Sequence, residues 1–403
     1  MRDKQQRSLR DVERASGLKS GYLSQLERGE VQHPSPTVLK KIADGYTIPM
    51  AVVLQWSGYV SDAPELTPNQ AVALSTIGDP SDHELKALKA IIDLLRANGS
   101  AAMAAASALD LELDDVTREE IRGYALALLR EADALGERPT PVDHLCEAAE
   151  LVRVGDITLD PRDRKRLVEQ LGGWVDQAWH RLLGSMDFRA DAIWIKPGLH
   201  PKRERFVLSH EVGHAILPAH RAIFARPDDK TRIKPWVNDF VEREANQAAA
   251  ELLFQGDQLR DEADSSPITL DATIGLSDRF GASIIATVRR IAEDSRRDVA
   301  VAEAHKSDHG LGPTHLYASP GFAARYGWQR DTFPRDTIRP WLHEATSLVA
   351  PRFYVWNDAR GRSTVVRVEA LFTGYASIVL IVRETGLRRA AFQRRAQSPV
   401  PLD

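Results

Sequence analysis

The chain has 403 residues, of which 43% are hydrophobic and 27% charged, and its formal net charge is −4. This length suggests two or three domains, the composition is that of a soluble globular protein, and the charge excludes a chain coated with basic residues for nucleic acid. No apolar run reaches membrane-spanning length and no signal peptide is visible, so we expect a cytoplasmic protein with no membrane partner.

Residues 1–60 form the first predicted domain. Residues 8–17 and 18–29 read as two short helices separated by Gly17, and Pro36 and Pro49 each open a further helix. Two short helices joined by a tight turn are typical of the helix-turn-helix, whose second helix lies in the DNA major groove. Residues 1–59 hold nine Lys or Arg against six Asp or Glu, an excess that suits phosphate contacts.

The run Tyr22-Leu-Ser-Gln-Leu-Glu-Arg-Gly resembles the Cro/repressor-like (XRE) helix-turn-helix domain. The resemblance implies that duplex DNA is a partner. It also implies that one group of side chains approaches bases and a second lies near phosphates: Ser20, Tyr22, Ser24 and Gln25 in the first, Lys19, Arg28 and Lys40 in the second. The alternative is a small helical interaction module that has lost DNA binding.

Residues 61–117 are interpreted as a linker followed by a helical segment. Pro64, Pro68, Gly78 and Pro80 lie among polar residues, which is typical of a connection between domains. An apolar repeat over residues 85–95 then predicts helix that packs against other protein.

The sequence His210-Glu211-Val-Gly-His214 lies in a predicted helix that follows Pro201 and has Pro218 in its last turn. Histidines four residues apart project from one helix face and can hold one Zn²⁺. A carboxylate at Glu211 can take a proton from water that the metal activates, which makes the water a nucleophile towards a peptide carbonyl. The pattern therefore indicates metal-assisted amide hydrolysis, against the alternative of two surface histidines on an amphipathic helix.

A third metal ligand is expected from the downstream helix that begins near residue 236. Glu242 and Asn246 share one face, so Glu242 can bind the metal while Asn246 orients a ligand from behind. Glu244 points away from that face and remains the alternative ligand. We exclude His220, because Leu217 replaces the glycine of the longer three-histidine pattern and no methionine follows it. Alanines at 245 and 248–250 predict close approach to another helix.

Residues 118–295 resemble the ImmA/IrrE family of bacterial metallopeptidases, on Arg205 to His214 and on the run that starts at Glu242. The resemblance implies a gluzincin-like Zn²⁺ site, with Mn²⁺ possible in vivo, and cleavage of helix-turn-helix repressors. It extends to a strand at residues 190–195, which we expect to form a sheet edge for a substrate peptide. Cys146, in the same stretch, is the only cysteine in the sequence, which excludes an internal disulfide. It is predicted to be a buried structural thiol.

Residues 296–403 differ from the rest of the chain in their residue pattern, which favours β-strands. Three β-rich runs within residues 353–384 predict a small antiparallel meander, after a segment containing Trp328 and Trp341 and before a basic tail. This α/β region is interpreted as a sensor or interaction domain.

The predicted fold class is α+β and predominantly helical, with a helix-turn-helix bundle, a gluzincin-like zinc peptidase domain and a C-terminal α/β region. The predicted function is a transcriptional regulator with a zinc-dependent endopeptidase domain that cleaves a helix-turn-helix repressor, a partner or its own segment, in a stress or mobile-element response. The alternatives are a DNA-binding regulator with a non-catalytic, peptidase-like sensor, and a toxin-antitoxin type module. A homodimer is possible, and the sequence leaves the repressor and the operator open.

Overall fold

The computed structural model describes residues 7–60, 113–154, 183–188, 190–224, 235–307, 310–327, 349–373 and 376–385. These ranges contain thirteen helices and eight strands, which confirms the α+β, predominantly helical class. They divide into two compact units, residues 1–256 and 257–403. The predicted linker, most of the helical segment before residue 117, both tryptophans at 328 and 341 and the basic tail lie outside the described residues. The domain boundaries at 60, 117 and 295 remain predictions.

Four helices follow one another at the start of the chain: α1 (Leu9–Ser16), α2 (Ser20–Glu27), α3 (Pro36–Tyr46) and α4 (Met50–Trp56). Ser8 and Asp11 form a reciprocal capping box at the start of α1, and Gly17 ends the helix with a positive φ of 74°. Ser35 caps α3 by accepting a hydrogen bond from the Val38 amide. The sequence predicted all four helices from these signals.

The N-terminal helices have a small apolar core of their own and share a second one with later helices. One cluster joins Val12, Leu23 and Val38 within the helix-turn-helix. A second cluster combines α3 and α4 with two helices from much later in the chain, and its buried members are Leu39, Ala43, Met50, Val53, Leu54, Tyr59, Ala219, Ile223, Val237 and Val241. The shared apolar core fixes the helix-turn-helix against the middle of the chain within the first unit.

The rest of the first unit is built from α5 (Asp115–Glu131), α6 (Val142–Ala148), α7 (Pro201–Ile216), α8 (Pro218–Phe224) and α9 (Pro235–Phe254). α7 ends at Ile216, and Pro218 opens α8 instead of lying in the last turn of α7 as predicted, because proline fits the first position of a helix. A Cβ added at Gly213 would lie 3.0 Å from the Ala245 carbonyl and 3.0 Å from Ala248 Cβ. The small residues therefore permit the predicted close approach, which is between α7 and α9.

A three-stranded sheet lies beside α7, in the order β1 (Val152–Val154), β3 (Ala192–Ile195), β2 (Gly184–Asp187). β3 pairs in parallel with β1 and antiparallel with β2. The strand predicted as a sheet edge is therefore the central one, and that expectation was wrong. Strand β2, which packs against α7, is the edge nearest the histidines.

The second unit begins with three helices, α10 (Gln258–Asp264), α11 (Leu270–Arg279) and α12 (Ile284–Asp294). A sheet follows, built from β4 (Val299–Ser307), β5 (Gly310–Ala318), β6 (Val349–Asn357), β7 (Ser363–Phe372) and β8 (Ala376–Arg383), with α13 (Pro320–Tyr326) after β5. The order is β5-β4-β8-β7-β6 and every pairing is antiparallel. The predicted meander is confirmed as β6, β7 and β8, and the hairpin of β4 and β5 extends it.

In the part of the chain that the structure describes, the helices are too short or too polar to cross a lipid bilayer.

Candidate metal centre

Three side chains from two helices converge at one point. His210 and His214 on α7 bring their Nε2 atoms to 3.1 Å from each other. Glu242 on α9 places Oε2 3.2 Å from His210 Nε2 and Oε1 3.5 Å from His214 Nε2. The close packing of α7 on α9 at Gly213 is what carries Glu242 to this position.

The spacing of these donors fits a tetrahedral cation. Zinc bonds of about 2.0–2.1 Å to imidazole nitrogen and carboxylate oxygen require neighbouring donors to lie about 3.3 Å apart. The three observed separations, 3.1, 3.2 and 3.5 Å, bracket that value. Two imidazoles and one carboxylate are a donor set that leaves a fourth position for water or substrate, so the residues present fit the predicted metal.

One side of the cluster is open. The Glu242 side chain is 41% exposed and Asn246 is also exposed, whereas His210 and His214 are 14% and 8% exposed. The two histidines are thus held by buried packing on the α7 side, and the α9 side of the cluster faces solvent.

Asn246 orients His210. Its Oδ1 lies 3.1 Å from His210 Nδ1. Since an amide oxygen can only accept, the contact places the His210 proton on Nδ1 and leaves the lone pair of Nε2 directed at the metal position. The contact is the one that the predicted orienting role of Asn246 requires, and that role stays a prediction.

His214 contacts His220, and His220 contacts Glu244; from the sequence, both residues were weighed only as metal ligands and neither was assigned an orienting role. His214 Nδ1 lies 3.0 Å from His220 Nδ1, and His220 Nε2 lies 2.8 Å from Glu244 Oε2. Glu244 therefore hydrogen-bonds to His220 on the side away from His214, and it is not part of the three-residue cluster. A signal was present in the sequence, because His220 lies six residues after His214, in the short helix that directly follows α7.

Glu211 lies next to the cluster and is buried. Gly184 of β2 makes room for it, since a Cβ there would lie 2.8 Å from Glu211 Oε1 and 2.6 Å from Val207 Cγ1. Burial raises the pKa of Glu211 to about 7. A carboxyl group whose pKa is near neutral can both accept and return a proton at ordinary pH.

The metal-free electrostatics are those of an ion pair. Burial opposes a charge on His210, but the hydrogen bond and negative charge of Glu242 outweigh it and raise the pKa of His210 to about 9. Partial burial opposes the Glu242 charge too, yet hydrogen bonds from both histidines hold the pKa of Glu242 well below its usual range. Burial lowers the pKa of His214 to about 4, so His214 is neutral. A cation would replace the proton that His210 carries.

The residues predicted to contact DNA are distributed unevenly over the helix-turn-helix surface. Lys19 and Gln25 are exposed, and Ser20 is partly exposed. Ser24 accepts a hydrogen bond from Arg28, which also pairs with Glu30 at 2.5 Å.

Lys40 pairs with Asp44 at 2.5 Å, as Arg28 does with Glu30. Such surface pairs are weak enough to exchange for phosphate contacts. Tyr22 differs from the other predicted contacts, because its ring is buried and its hydroxyl donates to Asp114 Oδ2 at 2.5 Å. In this conformation Tyr22 is a core residue and is not presented to bases.

Comparison with known families agrees with both resemblances. Residues 1–53 match the helix-turn-helix family model, and residues 172–292 match the Peptidase_M78 model, described as an IrrE N-terminal-like domain. The predicted fusion of an XRE-type domain to an ImmA/IrrE-type domain is thereby confirmed. No curated protein matches the chain. A solved Mycobacterium tuberculosis transcriptional regulator is similar at a TM-score of 0.42 and 13% identity, over 70% of this chain and 94% of that one.

Proposed function

We propose that the chain is a transcriptional regulator whose second domain is a metal-dependent endopeptidase that cleaves a helix-turn-helix repressor. The union of a helix-turn-helix with an IrrE N-terminal-like domain supports a regulator that binds DNA. The observation that carries the peptidase activity is the position of Glu211, which is buried beside three donors whose spacing suits a tetrahedral cation. A domain that used this fold as a scaffold alone would not need a buried carboxylate there.

In this proposal His210, His214 and Glu242 hold the metal. Zn²⁺ fits the donor set best, and Mn²⁺ also accepts imidazole and carboxylate ligands. The bound ion would supply Lewis-acid activation of water and of the scissile carbonyl group. Asn246 and His220 each fix one histidine with its Nε2 lone pair towards the ion.

Glu211 moves the protons. It takes one from the attacking water as the new C–O bond forms, and it delivers that proton to the amide nitrogen as the C–N bond breaks. The open side at Glu242 is where the peptide enters. Strand β2, the sheet edge beside α7, can align the peptide in an extended conformation by strand addition.

The test is cleavage by the full-length chain loaded with Zn²⁺. Two substrates are needed: the chain itself, and the helix-turn-helix repressor encoded nearest to its gene, with products identified by mass spectrometry. Glu211→Gln is the matched control, since it is nearly isosteric, and we expect it to keep zinc while cleavage falls by about two to four orders of magnitude. If the wild type and Glu211→Gln cleave equally well, or if Glu211→Gln controls its target genes normally in cells, the peptidase hypothesis is wrong. The non-catalytic sensor then becomes the better interpretation.

A further inference from the structure

A continuous series of contacts runs from the helix-turn-helix to the metal ligands. The backbone N–H of Thr37, in the first turn of α3, donates to Glu244 Oε1 at 3.0 Å. The other carboxylate oxygen of Glu244 lies 2.8 Å from His220 Nε2, and His220 Nδ1 lies 3.0 Å from His214 Nδ1. Four residues thus connect helices α3, α9, α8 and α7.

With one proton on each imidazole, the protons in this series have one arrangement. A carboxylate can only accept, so His220 donates from Nε2 and has its lone pair on Nδ1. His214 must then donate from Nδ1 to His220, which leaves the His214 Nε2 lone pair for the metal. Glu244 therefore determines, through His220, which nitrogen of His214 faces the cation.

The Glu244 carboxylate accepts one of its hydrogen bonds from α3. Glu244 and His220 are both 0% exposed. An ionised carboxylate in such a place requires donors, and the start of a helix offers unsatisfied amides together with a favourable dipole. Pro36 has no N–H and Ser35 is the cap, so Thr37 is the first amide of the helix that can donate.

Other contacts within the first unit fix the position of the start of α3. The Ser35 hydroxyl accepts a hydrogen bond from Thr117 on α5 at 2.9 Å. The Tyr59 hydroxyl donates to the Pro34 carbonyl at 2.5 Å, and its ring meets Trp236 of α9 edge-on at 4.6 Å. The Thr37 amide is thus positioned by helices on both sides, and moving α3 would withdraw it from Glu244.

We infer that His220 and Glu244 are positioning residues that couple metal binding at His214 to the docking of α3, so that the metal site and the DNA-binding domain report on each other. The inference rests on the proposed metal centre. A cation on His214 Nε2 makes the Nδ1–H a stronger donor, which strengthens the bonds through His220 to Glu244 and favours the docked α3. Coupling is reciprocal and usually changes each affinity about 5- to 150-fold.

The test compares Glu244→Gln with Glu251→Gln in the full-length chain. Glu251 is the matched control, because it is also 0% exposed and lies on α9, but it pairs with Arg122 and Gln247. Glutamine at 244 can accept from either Thr37 or His220 but not from both, because its second polar atom is a donor. His220→Leu removes both polar atoms at the middle of the series and leaves Glu244 its bond to Thr37.

Two quantities are measured with Zn²⁺ as the probe. Zinc affinity, by chelator competition, should fall about 10- to 100-fold in Glu244→Gln and His220→Leu, the usual loss for residues that orient a ligand. Amide hydrogen exchange over residues 36–46 should slow at least about fivefold on adding zinc to the wild type and to Glu251→Gln. In Glu244→Gln and in the His220 variant, zinc should leave the exchange rate of residues 36–46 unchanged. A variant that only loosened the fold would exchange faster with and without zinc.

Three results would overturn the inference. The first is zinc binding to the wild type without slower exchange in α3, which leaves the metal centre intact and removes the coupling. The second is zinc-dependent slowing of amide exchange in α3 that persists in both the Glu244 variant and the His220 variant. The third is a wild type that binds no zinc, which removes the metal centre and the coupling together.

Discussion

Replacing Glu242 by glutamine should remove the metal while preserving the fold. Glu242 is the anionic member of the three-residue cluster, and its oxygens lie 3.2 and 3.5 Å from the two histidine nitrogens. Its side chain is 41% exposed, so an isosteric amide costs little packing. We expect zinc affinity to fall more than 100-fold, beyond the roughly 10- to 100-fold loss for residues that support a ligand from behind. That threshold corresponds to about 2.7 kcal/mol of binding free energy.

The assay is elemental analysis after dialysis, followed by chelator competition on the same samples. Asn246→Ala is the graded control, because Asn246 orients His210 without joining the cluster, and its loss should stay within about 10- to 100-fold. Unfolding midpoints of the metal-free proteins establish that both variants fold. If Glu242→Gln keeps its zinc while Glu244→Gln loses it, the assignment of the third ligand from this geometry is refuted and passes to Glu244.

Three further outcomes follow from the same geometry. Gly184→Ala places a methyl group 2.8 Å from Glu211 Oε1, so urea denaturation should show a loss of about 1–3 kcal/mol from overpacking, with zinc still bound; an unchanged midpoint would contradict this. Glu242 outweighs the effect of burial and raises the pKa of metal-free His210 to about 9, so zinc must displace the extra proton that His210 carries. Zinc affinity should therefore rise with pH up to about 9. Calorimetry in two buffers at pH 7 should detect about one proton released on zinc binding. A pH-independent affinity would contradict it. Lys19→Ala, which changes an exposed side chain, should weaken duplex binding and reduce the salt slope by about one; an unchanged slope in a mobility-shift series would remove Lys19 from the phosphate contacts.

Helical periodicity was sufficient to predict which three residues converge in the candidate metal centre. The four-residue spacing of His210 and His214 places both imidazoles on one face of α7, and the same spacing relates Glu242 to Asn246 on α9. Small residues between them indicated that the two helices approach closely, as they do at Gly213. These are local properties of a helix, so they can be derived without knowledge of the tertiary fold.

The remainder depends on contacts between distant residues. Nothing in the sequence around residue 244 indicates that Glu244 accepts a bond from Thr37, 207 positions earlier. The central position of β3 was missed partly for the same reason, because β1 joins it from well upstream, whereas β2 lies just before it and was not predicted as a strand. The burial of Tyr22 against Asp114 also depends on a partner 92 residues away. A helix pattern specifies which face is apolar, whereas it does not identify what covers that face.

The docked position of the helix-turn-helix bears on which repressor is the substrate. A peptide must be extended to enter a peptidase site, so a bond inside a packed helix becomes available only after local unfolding. The start of α3 is poorly suited to this, because Ser35, Thr37 and Val38 are at most 2% exposed. Its apolar neighbours lie on α8, which carries His220, and on α9, which carries Glu242, and opening α3 would disturb the core that they share. The docked segment is therefore a poor substrate for its own peptidase, which favours a partner repressor over self-cleavage within the function we propose.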